Sequence, residues 1–506
     1  MRVLLLNPPH PAVSSRCHSG RMPPLGLLAV GGPLLDAGHA VRLLDAEIGP
    51  LSTARIVAFA REQAPDAVLL GHSGSTSAHP IVAELCHALK AALPGIRTVY
   101  GGPFPTFHAE DVLASCPEID FVVRGEGEAT ARELLGALEA GRPADSVPGI
   151  ALRVDGAPLL TPPAAPIRDL DAFRVGWELI EDWDRYRYWG AGRAAVIQFS
   201  RGCPHSCSYC GQRGFWGGWR HRDPARAARE IGWLHRTHGV RFVDLADENP
   251  TASREPWLAF LEALAAEAVP VELVATMRSD AIVCDAEVLP LYKRAGFSRI
   301  LLGVETTDPE TIAAIGKNSS AATDREAIRL LRRHDILSQA AHVVGLRPET
   351  DRGHFRALRR LVSYDPDLIN AMHATPHRWT PFHEQNAGRG IVELDQSRWD
   401  YRHQVLASRV PPWRVFLWVK LTEAAVQLRP RALWRVLFHR DRKLRRALRW
   451  CYGVAARAVL FELREFLSGR RRRPGPGPGP GGRRTLGEFW DVGRGMNGRV
   501  EGWKDA

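Results

Sequence analysis

Along the first third of the chain, short apolar runs recur, each closed by Gly, Ser or Asn and followed by a stretch with helical spacing. "RVLLLN" precedes "LGLLAVGGPLLDAG", "AVRLLDA" precedes "ARIVAFAREQA", and "AVLLGHS" precedes "IVAELCHALKAAL"; "RTVYGG" and "FVVRGEGE" continue the series. Continuous apolar strands alternating with helices are the pattern of a parallel sheet buried on both faces, so residues 1–150 are expected to form one doubly wound α/β domain. Ligands bind such sheets where strands end. The loops at those ends are "NPPHP" (7–11), "GHSGSTSAHP" (71–80), "GGPFPTF" (101–107) and "RGEGE" (124–128). Gly101, Gly102 and Gly125 let a ligand approach the backbone, and Ser73, Ser75 and Thr76 offer hydroxyls. Alone, this pattern specifies a nucleotide-sized ligand and no more.

A proline-containing connector, 151–192, leads to "AAVIQFSRGCP", a strand running into a cysteine-rich loop. About six strand–helix repeats follow within 193–400, which predicts a partial or full (β/α) barrel with its chemistry at the carboxyl ends of the strands. The polar clusters "ADENPT", "TMRSD", "GVETT" and "VVGLRPE" fall at those ends. Residues 401–468 read as a Trp- and Arg-rich helical extension without strand partners. The remainder, 469–506, opens with "GRRRRPGPGPGPGGRR" and reads as a flexible linker and tail.

With 506 residues the protein needs more than one core, and 45% hydrophobic with 24% charged residues is a globular composition. No apolar run reaches the roughly 18 residues of a membrane span. "MRVLLLNPPHP" reads as a buried first strand and not as a secretory leader. Cys17, Cys86, Cys116, Cys284 and Cys451 are scattered, which suits reduced thiols and a cytoplasmic location. The net charge of +11 is concentrated late: between Arg429 and Arg484 seventeen basic residues face three acids. Such a field attracts phosphates or anionic lipid; a solvated basic face is the plainer alternative. No zinc-finger, RNP-like or helix-turn-helix signature accompanies it, so nucleic acid is not an expected partner.

Three of the eight cysteines, Cys203, Cys207 and Cys210, stand in "GCPHSCSYCGQ" as C-x3-C-x2-C. Three such thiolates can hold three irons of a [4Fe–4S] cluster and leave the fourth iron open to an exogenous ligand. The competing reading is zinc, completed by His205 or His221.

This loop, with Tyr209 before its last cysteine, resembles the radical S-adenosylmethionine (SAM) superfamily. The resemblance implies that SAM chelates the open iron and is cleaved by one electron to a 5′-deoxyadenosyl radical. It further implies SAM contacts from Tyr209, Asp247, Glu248, Arg278 and Glu305. The plainer roles are helix capping for Asp247 and Glu248 and a barrel salt bridge between Arg278 and Glu305. Residues 1–150 resemble the Rossmann-like cobalamin-binding domain that often precedes such a barrel, which places cobalamin near Ser73, Ser75, Thr76, Gly101, Gly102 and Gly125. The D-x-H-x-x-G cobalt-ligand motif is absent, and His10, His18, His39, His72 and His79 are expected to be surface or loop residues.

The wider strings "FSRGCPHSCSYCGQRGFWGGWRHRDP", "LADENPT" and "PDLINAMHATPHRWTPFHEQ" resemble the anaerobic oxidative cyclase family that forms the isocyclic ring E of bacteriochlorophyll. That resemblance implies a magnesium-protoporphyrin IX 13-monomethyl ester substrate, with the inserted oxygen taken from water. It also implies an external electron donor such as a flavodoxin or ferredoxin. Trp216, Trp219, Arg220, Arg222, His373, His377, Arg378 and Trp379 offer aromatic walls and cationic anchors for a flat pigment, with core packing the alternative for each Trp. The basic C-terminal helices are expected to make peripheral membrane contact or simply to dock on the barrel. A cobalamin-dependent radical SAM methyltransferase and a non-enzymatic corrinoid or zinc module are the rival functions.

Overall fold

The structure is a computed structural model that describes residues 1–10, 20–72, 75–469 and 485–486. Among these, two seven-stranded sheets form the framework. The first contains β1 (Arg2–Asn7), β2 (Ala40–Asp45), β3 (Ala67–Gly71), β4 (Arg97–Gly101) and β5 (Phe121–Val123), all parallel in the order β2–β1–β3–β4–β5. Leu4, Leu5 and Leu6 of β1 are all essentially inaccessible, as a strand covered on both faces requires. The strand order reverses between β1 and β3, which puts the topological switch point at the loops beginning Pro8 and His72.

The segment expected to be a connector contributes to this sheet. An antiparallel hairpin, β6 (Ile150–Val154) and β7 (Ala157–Leu160), extends it beyond β5. Trp177, Leu179, Ile180, Trp183 and Tyr186 then pack into a core continuous with both sheets. Helix α1 (Leu25–Asp36) presents Gly31 and Gly32 to this segment. A Cβ on Gly32 would lie 2.0 Å from the Arg174 carbonyl oxygen, and Gly176 N donates to Leu28 O at 2.9 Å. Only a bare backbone allows that approach.

The second sheet runs β8 (Arg187–Tyr188), β9 (Gly192–Ile197), β12 (Val240–Leu245), β13 (Glu272–Met277), β14 (Phe297–Glu305), β15 (Leu337–Val344) and β16 (Leu368–His373). Six of these strands are parallel and β8 is an antiparallel edge. β9 and β16 do not pair with each other, so the barrel is partial. A two-stranded ribbon, β10 (Ser200–Arg201) and β11 (Arg220–His221), rises from the end of β9. Helix α2 (Gly127–Glu139) follows β5, and α3 (Pro224–His238) connects the ribbon to β12. Helix α4 (Pro412–Gln427) packs Val415 and Val419 on Val344 and Ala371, α5 (Pro430–Phe438) follows, and α6 (Arg442–Gly469) packs Leu444, Ala447 and Leu448 with Trp189, Phe242, Val274 and Leu337. Cys17, His18, Ser73 and most of the 469–506 segment lie outside the described residues. Leu486 of that segment is buried, its N–H donating to Arg389 O at 2.9 Å.

Gly32→Ala is expected to lower stability by about 1–3 kcal/mol, the usual cost of forcing a methyl into a packed contact. Urea unfolding followed by circular dichroism measures it.

Candidate active site between the two sheets

The cysteine loop leaves β10 and returns through β11, with Ser200 opposite His221 and Arg201 opposite Arg220 at its base. Gly202 turns there at φ +88°, where a Cβ would meet the Gly218 carbonyl oxygen at 2.8 Å. Ser208 is gripped from two sides: its N–H donates to Ile315 O at 2.9 Å and its carbonyl accepts from Phe382 N at 3.0 Å. Burial pushes the Cys207 thiol up, against the pull of Lys317 and Arg278, and pushes Cys210 up to about 11. Among the described residues, no three His, Cys, Asp or Glu side chains converge as a single metal ion requires. A cluster takes one thiolate per iron. Iron would deprotonate these buried thiols, and Lys317 and Arg278 supply the positive charge to balance them.

Asp247 and Glu248 sit just beyond β12 and cap no helix. Asp247 accepts from Phe199 N at 3.0 Å, from Ser200 Oγ at 2.5 Å and from Ser200 N, and burial pushes it up to about 7. Glu248 accepts from Trp216 Nε1 at 2.6 Å and from Gly202 N at 3.3 Å, and burial raises it too. Both carboxylates therefore hold the arms of the cysteine loop. Arg278 donates to Asp280 and to Asn318 O, each at 2.8 Å, and Glu305 meets Lys317 Nζ at 3.1 Å, so Arg278 and Glu305 do not bridge each other. Glu305 lies at φ +60°, where the β14–β15 register shifts; an acid held in a strained conformation at a strand end marks a constrained site. Burial and the neighbouring Glu305 carboxylate raise the Tyr209 phenol.

Across the cleft, the first sheet presents its own strand ends. A Cβ on Gly102 (φ +114°) would lie 3.2 Å from His72 O, and Gly125 (φ +76°) donates its N–H to Thr106 Oγ1 at 2.9 Å. Gly101 stands directly before Gly102 at the end of β4. The side chain of Ser75, like all of Ser73, lies outside the described residues. Thr76 is buried with its Oγ1 3.1 Å from His377 Nδ1, a contact from the first domain to the barrel. Glu126 and Glu128 reach the cysteine loop: Arg201 bridges Glu126 at 2.6 Å and also Glu128, and Arg220 bridges Glu126 at 2.7 Å.

Of the histidines expected at the surface or in loops, His10, His39 and His72 lie in loops and His79 opens a helix. His10 and His39 are buried, and burial lowers His72 and brings His79 down to about 4. His10 and His72 stack at 4.4 Å beside the switch point. His79 stacks on Phe104 at 4.5 Å; Trp379 stacks on Phe107 at 5.0 Å and on His377 at 4.7 Å. Burial holds His377 at about 3 and His383 at about 4. His79 Nδ1 and His383 Nε2 are buried without hydrogen-bond partners. His373, also expected in the pocket, is buried and held at about 3.

The expected cationic anchors are already occupied. Arg220 is spent on Glu126, Arg222 on Asp171 and Glu230, and Arg378 on Asp111. Trp219 donates to Asn249 O at 3.0 Å and Trp379 to Gly211 O at 2.8 Å, so both rings brace the loop. Sequence reasoning missed Lys317, Tyr401 and the Glu126–Glu128 pair. Lys317 is one of only six lysines among 67 basic residues, and that rarity is its only signal. Tyr401 OH lies 2.7 Å from His377 Nε2.

A cysteine loop on a partial barrel, faced by the strand ends of a doubly wound domain, corresponds to known sequence families. Residues 13–135 match the B12 binding domain and residues 197–361 the radical SAM superfamily, so the protein is a radical SAM enzyme with an N-terminal B12-binding domain. The cobalamin- and [4Fe–4S]-bound methyltransferase TsrM of Kitasatospora setae has the same fold, with a TM-score of 0.64 at 17% identity over 87% of this chain and 90% of that one. An anaerobic magnesium-protoporphyrin IX monomethyl ester cyclase of Synechocystis sp. is 53% identical over 97% of both proteins. The corresponding cyclase of Cereibacter sphaeroides is 34% identical over 79% of this chain and 66% of that protein. The chain belongs to this cyclase family.

Asp247 generates a pH dependence. Below its ordinary value of 3.8 folded and unfolded forms both hold the proton; between there and about 7 only the folded form does. Stability therefore falls as pH rises across that window. Asp247→Asn is expected to lose this slope, read from urea midpoints of both proteins across the window.

Proposed function

We infer that this protein is the oxidative cyclase that forms ring E on magnesium-protoporphyrin IX 13-monomethyl ester, with oxygen drawn from water. The observation that carries the reading is 53% identity to a named cyclase across 97% of the sequence, extending through both facing domains. When bound, the cluster and SAM supply a 5′-deoxyadenosyl radical that abstracts hydrogen, and cobalamin assists activation of the C–H bond on the esterified propionate.

The protein's own residues divide the remaining work. Cys203, Cys207 and Cys210 hold three irons, while Lys317 and Arg278 offset the charge of the thiolates. Tyr209, Glu305 and Arg278 line the SAM side. Asp247 and Glu248 contribute through the loop they anchor. Gly101, Gly102 and Gly125 leave backbone open to cobalamin, and Thr76 acts through His377. Phe107, Trp379 and His377 form a stacked aromatic column, with the neutral imidazoles of His79 and His383 nearby, against which the tetrapyrrole rests. With values of about 3 to 4, these imidazoles serve as neutral hydrogen-bonding groups and not as proton carriers near neutrality. An external one-electron donor of flavodoxin or ferredoxin type is required. No helix among the described residues is long and apolar enough to cross a membrane; the C-terminal helices make peripheral contact with one.

The test is anaerobic incubation with SAM, cobalamin, a low-potential reductant and the monomethyl ester. A product with the red-shifted spectrum of a fifth ring supports the reading. Transfer of a labelled methyl group from SAM to the pigment, without ring closure, would favour a methyltransferase. Cys207→Ala is expected to lose both the visible charge-transfer absorption of the cluster and SAM cleavage; retained cleavage would refute the cluster assignment.

A further inference from the structure

The outward faces of α4 and α5 carry rows of large apolar side chains that no described residue covers. α4 buries Val415, Val419 and Val426. On its opposite face Trp413, Leu417 and Leu421 recur at four-residue steps, with Leu428 just past its end. Four residues per step keeps side chains on one stripe of a helix. α5 continues the row: it buries Ala432 and Val436 and exposes Leu433, Trp434, Leu437 and Phe438, the Trp at 57% and the Phe at 58%. Isolated exposed leucines are ordinary, but contiguous rows on consecutive helices mark a surface that meets something apolar.

The surrounding charge identifies the partner. Arg431, Arg440, Arg442, Arg449 and Arg457 are exposed, and none forms an ion pair with a carboxylate among the described residues. The ion pairs of this region instead use Arg429, Arg435 and Arg446, which hold the helices to Asp365, Asp367 and Glu272. Arg431, Arg440 and His439 line a cleft of about 750 Å³ that shares Trp434 with the apolar row. An apolar layer beneath a layer of negative charge is the structure of an anionic bilayer, and tryptophan favours the boundary between the two. An acidic protein surface matches the arginines but not the apolar rows.

We propose that the outer face of α4 and α5 docks on an anionic lipid bilayer, with Trp434 and Phe438 entering the acyl boundary and Arg431 and Arg440 lying at phosphate level. The assignment deepens the membrane contact in the functional reading and needs none of its cofactor chemistry.

The full-length protein is tested by sedimentation with phosphatidylcholine vesicles, with and without phosphatidylglycerol. Binding to the anionic vesicles is expected, weakening as salt rises, and falling about tenfold or more in Trp434→Glu/Phe438→Glu and in Arg431→Glu/Arg440→Glu. Circular dichroism of both variants checks that the fold is kept. The proposal is overturned if the wild type binds no vesicles, if neutral vesicles bind equally well, or if the folded variants bind like wild type. It is also overturned if size exclusion shows a wild-type dimer that the Trp434→Glu/Phe438→Glu variant lacks, since a second copy then covers the face. Loss of vesicle binding leaves the ring-closure assay unaffected, and a failed ring closure leaves vesicle binding unaffected.

Discussion

A guanidinium buried between two carboxylates holds the two sheets with their strand ends face to face. Arg201 stands two residues before Cys203 and binds Glu126 and Glu128 of the first domain. Burial opposes its charge, but the two acids more than compensate, and its proton is held more tightly than usual. Removing Arg201 strips buried carboxylates of their compensating charge, which typically costs about 3–5 kcal/mol. The position of the cysteine loop therefore depends on the first domain as much as on the barrel. Arg220, on the returning arm, repeats the attachment through Glu126.

The charges around the cleft are paired, Lys317 with Glu305 and Arg278 with Asp280. Cations lie near the thiols, where Lys317 and Arg278 act on Cys207. The carboxylates Asp247 and Glu248 are turned into backbone anchors. The aromatic and imidazole wall opposite is neutral. A metal centre that gains negative charge and a flat, largely apolar ligand make opposite demands, and the cleft meets them on different walls.

Much of this was legible in the sequence because it depends on local pattern. The buried parallel strands and the C-x3-C-x2-C loop are set by residues close in sequence, and both appear where the pattern puts them. The rest depends on distant partners. Glu126 reads as part of a glycine-rich turn until Arg201 arrives from 75 positions away. The anchoring role of Asp247 needs the end of β9 beside it. Arg220 and Arg222 looked like free anchors because sequence does not show which acids will neutralise them. The β6–β7 hairpin was hidden in a proline-bearing stretch, where edge strands tolerate what central ones do not.

The uncharged imidazoles also make the fold sensitive to acid. His79, His377 and His383 hold no proton until acidity passes values of about 3 to 4, whereas the unfolded protein takes up protons near 6.5. Acidification through that interval thus draws the protein toward any state in which these rings reach water. His342 and His373, buried in the barrel strands and held at about 4 and about 3, add to the same pull, so acid strains the barrel interior together with the histidines beside the first domain.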